Sequence, residues 1–421
     1  MAQQATTATA NGPIYGGANN GAVTNAGTAD ERRKLYLKLF SGEMFKGFQH
    51  NTIARDLVTR RTLKNGKSMQ FIFTGRTKSE FHIPGQSILG NNEKTPPVAE
   101  KTITVDDLLI SSAFVYELDE TLAHYDLRGE ISRKIGYALA ENYDRRIFRA
   151  ITKAARAASP VSMTNFKEPG GSILKVGTDT STDKKDAYDD DKLVAAFYDA
   201  AAILDEKGVS GEGRVAVLNP RQYYSLIQSV SGNSLINRDV QGTALQSGNG
   251  IIEIAGIKIF KSMNIPFFGK YGTSADPNRT GYDSDDNFGD HVGATMEDME
   301  SAANNGTPAG GQKTTNNYGT AAKFAHSCGL IFQKEACGVV EAIGPSVQTT
   351  SGDVSVVYQG DVILGRLAMG ADSLNPACAV ELVAGVNTAH GTTGWGGSGT
   401  ESDSISDAGF TAGNLASSGG A

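Results

Sequence analysis

The sequence is poor in the features that build disulfide-rich, zinc-binding or membrane-spanning proteins. Only three cysteines occur among 421 residues, Cys328, Cys337 and Cys378, and no two of them form a C-x-x-C spacing. An odd number of separated cysteines argues against a disulfide framework and against a zinc site, and suits a reducing compartment. No run of eighteen apolar residues is present, so no transmembrane helix is expected. Residues 1–27 also lack an apolar stretch, and we expect no signal peptide there.

The sequence also has little that indicates catalysis. Its six histidines lack an H-x-x-x-H or H-E-x-x-H spacing, and neither a G-x-S-x-G nor a G-x-x-x-x-G-K-[ST] motif occurs. Asp283, Asp285 and Asn287 imitate the start of a calcium loop, but Phe288 and Ala294 stand where that loop requires glycine and glutamate. We therefore predict that the protein is not an enzyme and has no cofactor or dedicated metal site. Weak ion binding at Asp283 and Asp285 is left open.

Charge is divided unevenly along the chain. Residues 1–160 contain 22 Lys and Arg against 16 Asp and Glu, whereas the remainder contains 17 against 30. Surfaces of opposite sign on one molecule can steer head-to-tail self-association or turn one face towards a polyanion. Ordinary unevenness between domains is the alternative interpretation. Basic pairs such as Arg145-Arg146 belong to no nucleic-acid reader motif, and we expect them on a solvated or interface face of a helix.

The periodicity of apolar residues predicts one long helix and two shorter ones. From Ile131 to Ile151 an apolar or aromatic residue recurs every four positions, which predicts a helix over 126–157. At 1.5 Å per residue that helix is about 48 Å long, longer than a small domain is wide. The other predicted helices are 191–207, which Gly208 stops, and 221–229, which Asn219-Pro220 begins.

Strand-like runs are distributed along the whole middle of the chain. Alternating or continuous apolar residues predict strands at 69–74, 101–105, 214–218, 325–333, 336–343, 354–369 and 379–383. The runs 251–254 and 257–260 flank Ala255-Gly256, which predicts a hairpin with a two-residue turn.

Several segments have too few apolar residues to build a core of their own. Residues 1–29 and the Gly/Ser/Thr-rich segment after Gly385 cannot bury enough surface to become ordered alone. The segment 75–100 separates two predicted strands and contains three prolines, so we expect a long projecting loop. Residues 272–320 are almost free of Leu, Ile and Val, and predict an exposed insertion.

The order of these pieces resembles the Hong Kong 97-type (HK97) capsid fold of tailed phages. Within that fold, six short stretches are similar to the major capsid proteins of T7-like podoviruses (autographiviruses), a group that includes cyanophages. In chain order the stretches are 73–77, 100–109, 123–128, 214–220, 254–257, and 368–370 with 375–376.

The resemblance implies an α+β fold with an N-arm, an extended β loop, a long spine helix, a peripheral domain and an axial domain. The implied boundaries are 1–60 for the N-arm, 61–115 for the extended loop, 116–210 and 346–385 for the peripheral domain with its spine helix 126–157, 211–345 for the axial domain with the insertion 272–320, and 386–421 for the C-terminal tail.

The resemblance also implies a function in self-assembly. Copies of the chain are expected to form the pentons and hexons of an icosahedral phage head that encloses double-stranded DNA. The implied partners are other copies as pentamers and hexamers, a scaffolding protein during assembly, a portal at one vertex, and packaged DNA contacted without sequence specificity, with no membrane. The implied location is the virion, after assembly in the cytoplasm of a bacterial host. A capsid-like cellular compartment shell and a head-decoration or adhesive protein are the alternatives.

Two groups of apolar residues are candidate contacts between subunits. The loop group is expected to lie over an adjacent subunit, with packing on its own chain as the alternative. The N-terminal group lies on an amphipathic helix that begins near Asp30, and is expected to dock on its own or a neighbouring spine helix. The loop group is Phe81, Ile83, Ile88 and Leu89, and the N-terminal group is Leu35, Leu39 and Phe40.

Overall fold

A computed structural model describes the larger part of the chain between residues 53 and 384. The described residues are 18–19, 22–23, 53–75, 79, 81–85, 98–116, 127–158, 162–163, 166–167, 169–177, 185–228, 252–265, 316, 318, 327–349 and 359–384. Four α-helices lie among them: α1 (Ala54–Leu57), α2 (Leu127–Arg156), α3 (Asp190–Glu206) and α4 (Pro220–Gln228). Short 3-10 helices occupy Lys185–Tyr188, Lys334–Ala336 and Pro376–Cys378. No described helix is both long and apolar enough to cross a membrane.

The same residues form sixteen β-strands. Their bounds are β1 (Ala18–Asn19), β2 (Ala22–Val23), β3 (Thr59–Thr62), β4 (Ser68–Thr74), β5 (Val98–Thr104), β6 (Leu109–Tyr116), β7 (Ser162–Met163), β8 (Phe166–Lys167), β9 (Ser172–Lys175), β10 (Arg214–Leu218), β11 (Ile252–Ile254), β12 (Ile257–Lys261), β13 (Ser327–Gln333), β14 (Cys337–Thr349), β15 (Gly360–Ser373) and β16 (Ala379–Val383).

These strands build two larger sheets and three two-stranded ribbons. The six-stranded sheet has the order β11-β12-β10-β13-β16-β9, and the four-stranded sheet has the order β3-β14-β15-β6. Both sheets are mixed, since β10 runs parallel to β12 and antiparallel to β13, and β14 runs parallel to β3 while β15 runs antiparallel to β6. The ribbons are β1–β2, β4–β5 and β7–β8.

The sequence located the long helix and five of the six strands of the six-stranded sheet, but it missed β9, which lies in a stretch predicted to be polar and irregular. The predicted helix 126–157 is α2, and its apolar series from Ile131 to Ile151 is buried throughout. Strand β10 occupies 214–218 as predicted. Four of its residues are apolar and Arg214 can bury its aliphatic chain, so the strand can be covered on both faces of a sheet. The strand predicted at 101–105 begins earlier, at Val98, so the loop that follows Thr74 ends at residue 97.

Local hydrogen bonding explains where the shorter elements begin and end. The Asp189 side chain accepts from the Lys192 backbone N–H and caps α3, and Gly208 follows that helix with φ +73. The Asn219 side chain accepts from the Arg221 N–H and so caps α4, as expected. Ala255 and Gly256 both have positive φ, the conformation that a two-residue hairpin turn between β11 and β12 requires.

The chain divides into two compact units, which we call unit 1 and unit 2. Unit 1 comprises residues 1–51, 108–141 and 343–368. In it, β6 pairs with β15 from Leu109↔Leu367 to Tyr116↔Gly360. One face of this pair packs under the first half of α2, where Gly365 lies directly beneath Ile135 and Leu139. Side chains on that face, such as Ile363, are fully buried.

Unit 2 comprises residues 52–107, 142–342 and 369–421 and contains the six-stranded sheet. The central strands β10, β13 and β16 are buried along almost their whole length, so both faces of this sheet are covered. The second half of α2 is buried on all sides from Tyr143 to Ala155. Its close approach to the chain before β9 depends on Gly171, where a Cβ would overlap the carbonyls of Ala154 and Ala155.

Two expectations about exposure are wrong in unit 2. Arg145 and Arg146, expected on a solvated or interface face, are each only 3% exposed. The far end of the insertion 272–320, expected to be exposed, is buried at Asn316 and Tyr318. Arg146, Asn316 and Tyr318 share a buried partner, the Asp106 carboxylate, and hydropathy does not register such a partner.

Other predictions lie outside the described residues. These are the amphipathic helix that begins near Asp30, residues 272–315 of the insertion, and the tail 386–421. The domain boundaries stay predictions as well. The six-stranded sheet joins strands from both predicted domains, since β16 and β9 were assigned to the peripheral domain and β10 to the axial domain.

Replacing Gly365 by alanine is expected to destabilise the protein. A Cβ at this position would lie 2.8 Å from Leu139 Cδ1 and still closer to Ile135 Cγ2, so α2 must shift away from β15. Overpacking of this kind costs about 1–3 kcal/mol. The free energy of unfolding from urea titration measures the loss. Gly344→Ala is the matched control in the same unit, because a Cβ there meets nothing within 4 Å; equal stability of the two variants would contradict the proposed packing.

Candidate functional site

The ribbon β4–β5 exposes apolar side chains on one of its faces. The two strands pair from Ser68↔Thr104 to Thr74↔Val98. Because side chains alternate between faces, Phe71 and Ile103 are buried while Ile72 and Val98 are 75% and 63% exposed. Exposed apolar side chains grouped on one ribbon face are typical of a contact surface.

The first half of the loop contains two exposed apolar residues. Phe81 is fully exposed and Ile83 is 60% exposed, so neither packs substantially on its own chain. Burying a side chain of this size stabilises a complex by about 1.5–3 kcal/mol. The remaining predicted contacts lie outside the described residues: Ile88, Leu89, Leu35, Leu39 and Phe40.

A second apolar surface lies on the outer face of the β6–β15 pair in unit 1. This face is opposite to the one covered by α2. We call it the unit 1 apolar face. Its apolar residues are Ile110, Phe114 and Tyr116 of β6, each about 40% exposed, with the half-buried Val362 and Leu364 of β15, and Ser112 and Arg366 share the face.

A buried carboxylate holds the base of the ribbon in unit 2. Asp106 follows β5 and is 4% exposed. Its two carboxylate oxygens accept hydrogen bonds from the Tyr318 hydroxyl (2.5 Å), the Asn316 backbone N–H (3.0 Å) and the Asn316 side-chain amide (3.1 Å). Arg146 of α2 forms an ion pair with the same carboxylate at 3.4 Å. We call these four residues the Asp106 cluster.

A second buried carboxylate joins β5 to α2 within unit 2. Asp372 of β15 forms ion pairs with Lys101 of β5 at 2.9 Å and with Lys153 of α2 at 3.0 Å. Burial alone would raise the pKa of the Asp372 carboxyl, but the two lysines outweigh burial and the net pKa is lowered. The carboxylate therefore stays charged and bridges the two cations.

A third carboxylate, Glu341 of β14, fixes the segment that leads into the ribbon. It accepts hydrogen bonds from the Tyr143 hydroxyl at 2.6 Å and from Arg55 at 3.2 and 3.3 Å, and it pairs with Arg60 at 3.6 Å. Burial, followed by the hydrogen bond to Glu341, raises the pKa of Tyr143. The segment α1–β3 is thus attached to both α2 and β14.

The acidic run Asp189 to Asp191 is explained by helix capping. These carboxylates lie within 4.8 Å of one another, close enough to share a metal ion. Asp189, however, caps α3, and Lys192 pairs with Asp189 and Asp186 at 3.1 and 2.6 Å. Negative charge at this end also complements the helix dipole, as the sequence indicated.

The thiols have the character of structural cysteines. All three are buried, and none forms a disulfide. Burial raises the pKa of Cys378 to about 12 and also raises that of Cys337. A thiol with a raised pKa stays protonated and is a weak nucleophile.

Sequence reasoning identified the exposed loop residues but missed the buried clusters. Asp372 directly follows an apolar run, Leu367 to Ala371, and a carboxylate at the end of such a run is a signal for a buried partner. Asp106 directly follows a predicted strand and carries no such signal. Asn316 and Tyr318 lie in a polar stretch about 210 residues away along the chain, so no local pattern connects them with Asp106.

Comparison with known proteins gives one consistent group of sequence relatives. A family described as Gp10A-like major capsid protein matches residues 71–292, just over half of the chain. The major capsid protein of Escherichia phage T7 is 28% identical over 214 residues, which are 49% of this chain and 59% of the T7 protein. The major capsid protein of Enterobacteria phage T3 is 23% identical over 374 residues, covering 88% of this chain and 97% of that protein.

Solved structures extend the similarity to the fold. A chain from the capsid of cyanophage P-SCSP1u is 30% identical, with a TM-score of 0.62, over 87% of this chain and 97% of its own length. A chain of the mature capsid of bacteriophage PhiM1 is 17% identical, with a TM-score of 0.53, over 82% and 91% of the two chains, and shows a common fold. The expected α+β fold of HK97-like capsids is thereby confirmed.

Asp372→Asn is expected to weaken the protein near neutral pH and to flatten its response to acid. A carboxyl with a lowered pKa stabilises the folded state above its unfolded pKa of about 4, and this contribution is lost as pH falls through the folded value. Without the carboxylate, Lys101 and Lys153 lose their counter-charge at every pH. Urea titrations from about pH 7 down to about pH 3 should show a smaller decline in unfolding free energy for the variant.

Asp199→Asn provides the control, since Asp199 is an exposed acid in the middle of α3. Its stability and pH dependence should follow the wild type within about 0.5 kcal/mol. A wild-type acid response in Asp372→Asn would show that this ion cluster contributes nothing to stability.

Proposed function

The chain belongs to the Gp10A-like family of major capsid proteins, and we propose that it is the repeating subunit of an icosahedral phage head built from pentons and hexons around double-stranded DNA. The family is a structural one, and this function requires no catalysis. The place of the protein is the virion. Membership of a phage family favours this function over the two alternatives, a cellular compartment shell and a head-decoration protein.

The observation that supports assembly most directly is the presence of two exposed apolar surfaces on one chain. The loop offers Phe81 and Ile83 as projecting side chains, and the unit 1 apolar face offers a broad receiving surface. A projection on one copy and a receiving face on the next form a heterologous contact, and such contacts form rings when the rotation between successive copies closes. In our proposal the loop of each subunit lies on the unit 1 apolar face of its neighbour.

Many such contacts, each of modest strength, are sufficient for a shell. Obligate interfaces bury about 2,000–5,000 Å² per contact. A subunit whose N-arm, residues 1–60, and extended loop reach onto neighbours distributes that area over several partners. Because the shell is closed, loss of one type of contact weakens every ring at once.

The other partners follow from the same proposal. A scaffolding protein would set the curvature during assembly, a portal would occupy one vertex, and the shell would touch packaged DNA without reading its sequence. Contacts that do not read bases leave the DNA mobile enough to exit. Residues 116–210 with 346–385 would form the peripheral domain, and residues 211–345 the axial domain around the fivefold and sixfold axes.

Replacing both Phe81 and Ile83 by serine is expected to abolish or strongly reduce shell formation while the subunit stays folded. The two side chains are exposed, so their loss costs little in the isolated chain, whereas at the interface it removes about 3–6 kcal/mol per contact. Negative-stain microscopy and sedimentation measure shells, and circular dichroism with urea titration measures folding.

The matched control is the pair Phe81→Leu and Ile83→Val, which keeps apolar side chains at both positions. This control should assemble as the wild type does. Normal particle yield from the double serine variant would refute the function of the loop.

Deleting residues 1–48 is expected to prevent formation of normal shells. In our proposal the amphipathic segment that begins near Asp30 docks on a spine helix, α2, through Leu35, Leu39 and Phe40, and the deletion removes that contact. A shorter deletion of residues 1–24 keeps the segment and should assemble normally. Particle yield and diameter by electron microscopy distinguish the two, and wild-type shells from the longer deletion would disprove docking by the arm.

A further inference from the structure

We infer that Tyr318 and Asn316 are positioning residues for assembly: they hold the base of the ribbon β4–β5 at one angle, and thereby direct the loop towards the neighbouring subunit. The inference rests on the proposed function, in which that loop makes the contact. It assigns a role to two residues that lie far from the loop in sequence and do not touch a neighbour themselves.

Hydrogen bonds that converge on Asp106 hold the base of the ribbon, beside the ion pair of Lys101 with Asp372 and the buried side chains of Phe71 and Ile103. The Tyr318 hydroxyl donates to one carboxylate oxygen at 2.5 Å, and the backbone and side chain of Asn316 donate to the other at 3.0 and 3.1 Å. The Asn316 amide also donates to the carbonyl of Thr104, the last residue of β5, at 2.7 Å. Tyr318 and Asn316 therefore supply four hydrogen bonds at the base of the ribbon, three to Asp106 and one to Thr104.

The same two residues connect the ribbon with the rest of unit 2. The Tyr318 hydroxyl accepts from the Ala371 backbone N–H at 3.2 Å, so one oxygen bridges β15 and Asp106. Arg146 of α2 lies 5.6 Å from the centre of the Tyr318 ring and pairs with Asp106. Gly370 permits this close approach, because a Cβ there would overlap the Thr104 carbonyl. Strand, helix and ribbon thus meet at the Asp106 cluster.

Small changes of angle at this point become large displacements at the loop. Seven residues of strand span about 23 Å, so a rotation of about 10° at the base moves the far end by about 4 Å. Apolar contact requires heavy atoms within about 4.5 Å. A ribbon that is folded but wrongly directed would therefore bring Phe81 and Ile83 to the wrong place on a neighbour.

The test compares two buried hydroxyls at different positions. Tyr318→Phe removes a hydroxyl that donates to Asp106 at 2.5 Å. Thr152→Val removes a hydroxyl that donates to the Phe148 carbonyl at 2.9 Å, within α2 and away from the Asp106 cluster. Both full-length variants are expressed under conditions in which the wild type forms closed shells.

We expect both variants to fold, as judged by urea titration, and to differ in assembly. Tyr318→Phe should give about tenfold fewer closed shells near the lowest assembling concentration, the equilibrium change typical of losing one hydrogen bond to a charged group. The surviving particles should vary in diameter, and backbone amides of β4 and β5 should exchange hydrogen faster. Thr152→Val should keep the yield, the diameter and the exchange rates of the ribbon.

Equal assembly of the two variants would overturn the inference, whether both assemble normally or both fail. If Tyr318→Phe does not fold, Asn316→Ala replaces it, since that variant keeps the backbone donor to Asp106 and loses only the side-chain donors. Failure of the wild type to form shells under any condition would instead overturn the proposed function, and the inference with it. Normal shells from the Phe81 and Ile83 double serine variant would refute the function of the loop, and the inference with it.

Discussion

The architecture of unit 2 depends on buried carboxylates that pair with polar and cationic side chains, several of them on one helix. A charge in the interior is tolerated only when a partner compensates for it, so each such pair restricts how two elements can be placed. Along the second half of α2, polar side chains one or two turns apart reach carboxylates on four different segments. The pairs are Tyr143 with Glu341, Arg146 with Asp106, Lys153 with Asp372, and Arg156 with Glu381.

Because polar contacts hold much of the base of the ribbon, exposed apolar side chains remain available for self-association. Much of the order at the base of the ribbon comes from ion pairs and hydrogen bonds, with Phe71 and Ile103 as its buried apolar anchors. The outward side chains Ile72, Phe81 and Ile83 are therefore not needed for the fold of the single chain. Polar contacts are directional, so they suit a segment that must point in one direction. Apolar contacts are not directional, so they suit an interface at which copies must adjust to one another.

Sequence alone was sufficient for most of the secondary structure. The four-residue recurrence from Ile131 to Ile151 predicted α2 to within one residue at each end, because a helix with one buried stripe must repeat its apolar positions. Gly208, Asn219 and the pair Ala255-Gly256 located boundaries, since capping and turn conformations restrict which residues fit. The exposure of Phe81 and Ile83 also followed from sequence, because a proline-bearing loop between two strands has no core to enter.

Tertiary structure alone decided which polar residues are interior. The same helical stripe that located α2 placed Arg145 and Arg146 on its solvated side, yet both are buried, and Arg146 lies against Asp106 and Tyr318. Asn316 and Tyr318 read as part of an exposed insertion because their neighbours in sequence are polar. Their burial arises from Asp106, about 210 residues earlier in the chain, and only folding brings the donors to that carboxylate. Periodicity indicates which face of a segment is buried. Which polar residues pair over about 210 positions of sequence is decided only when the chain folds.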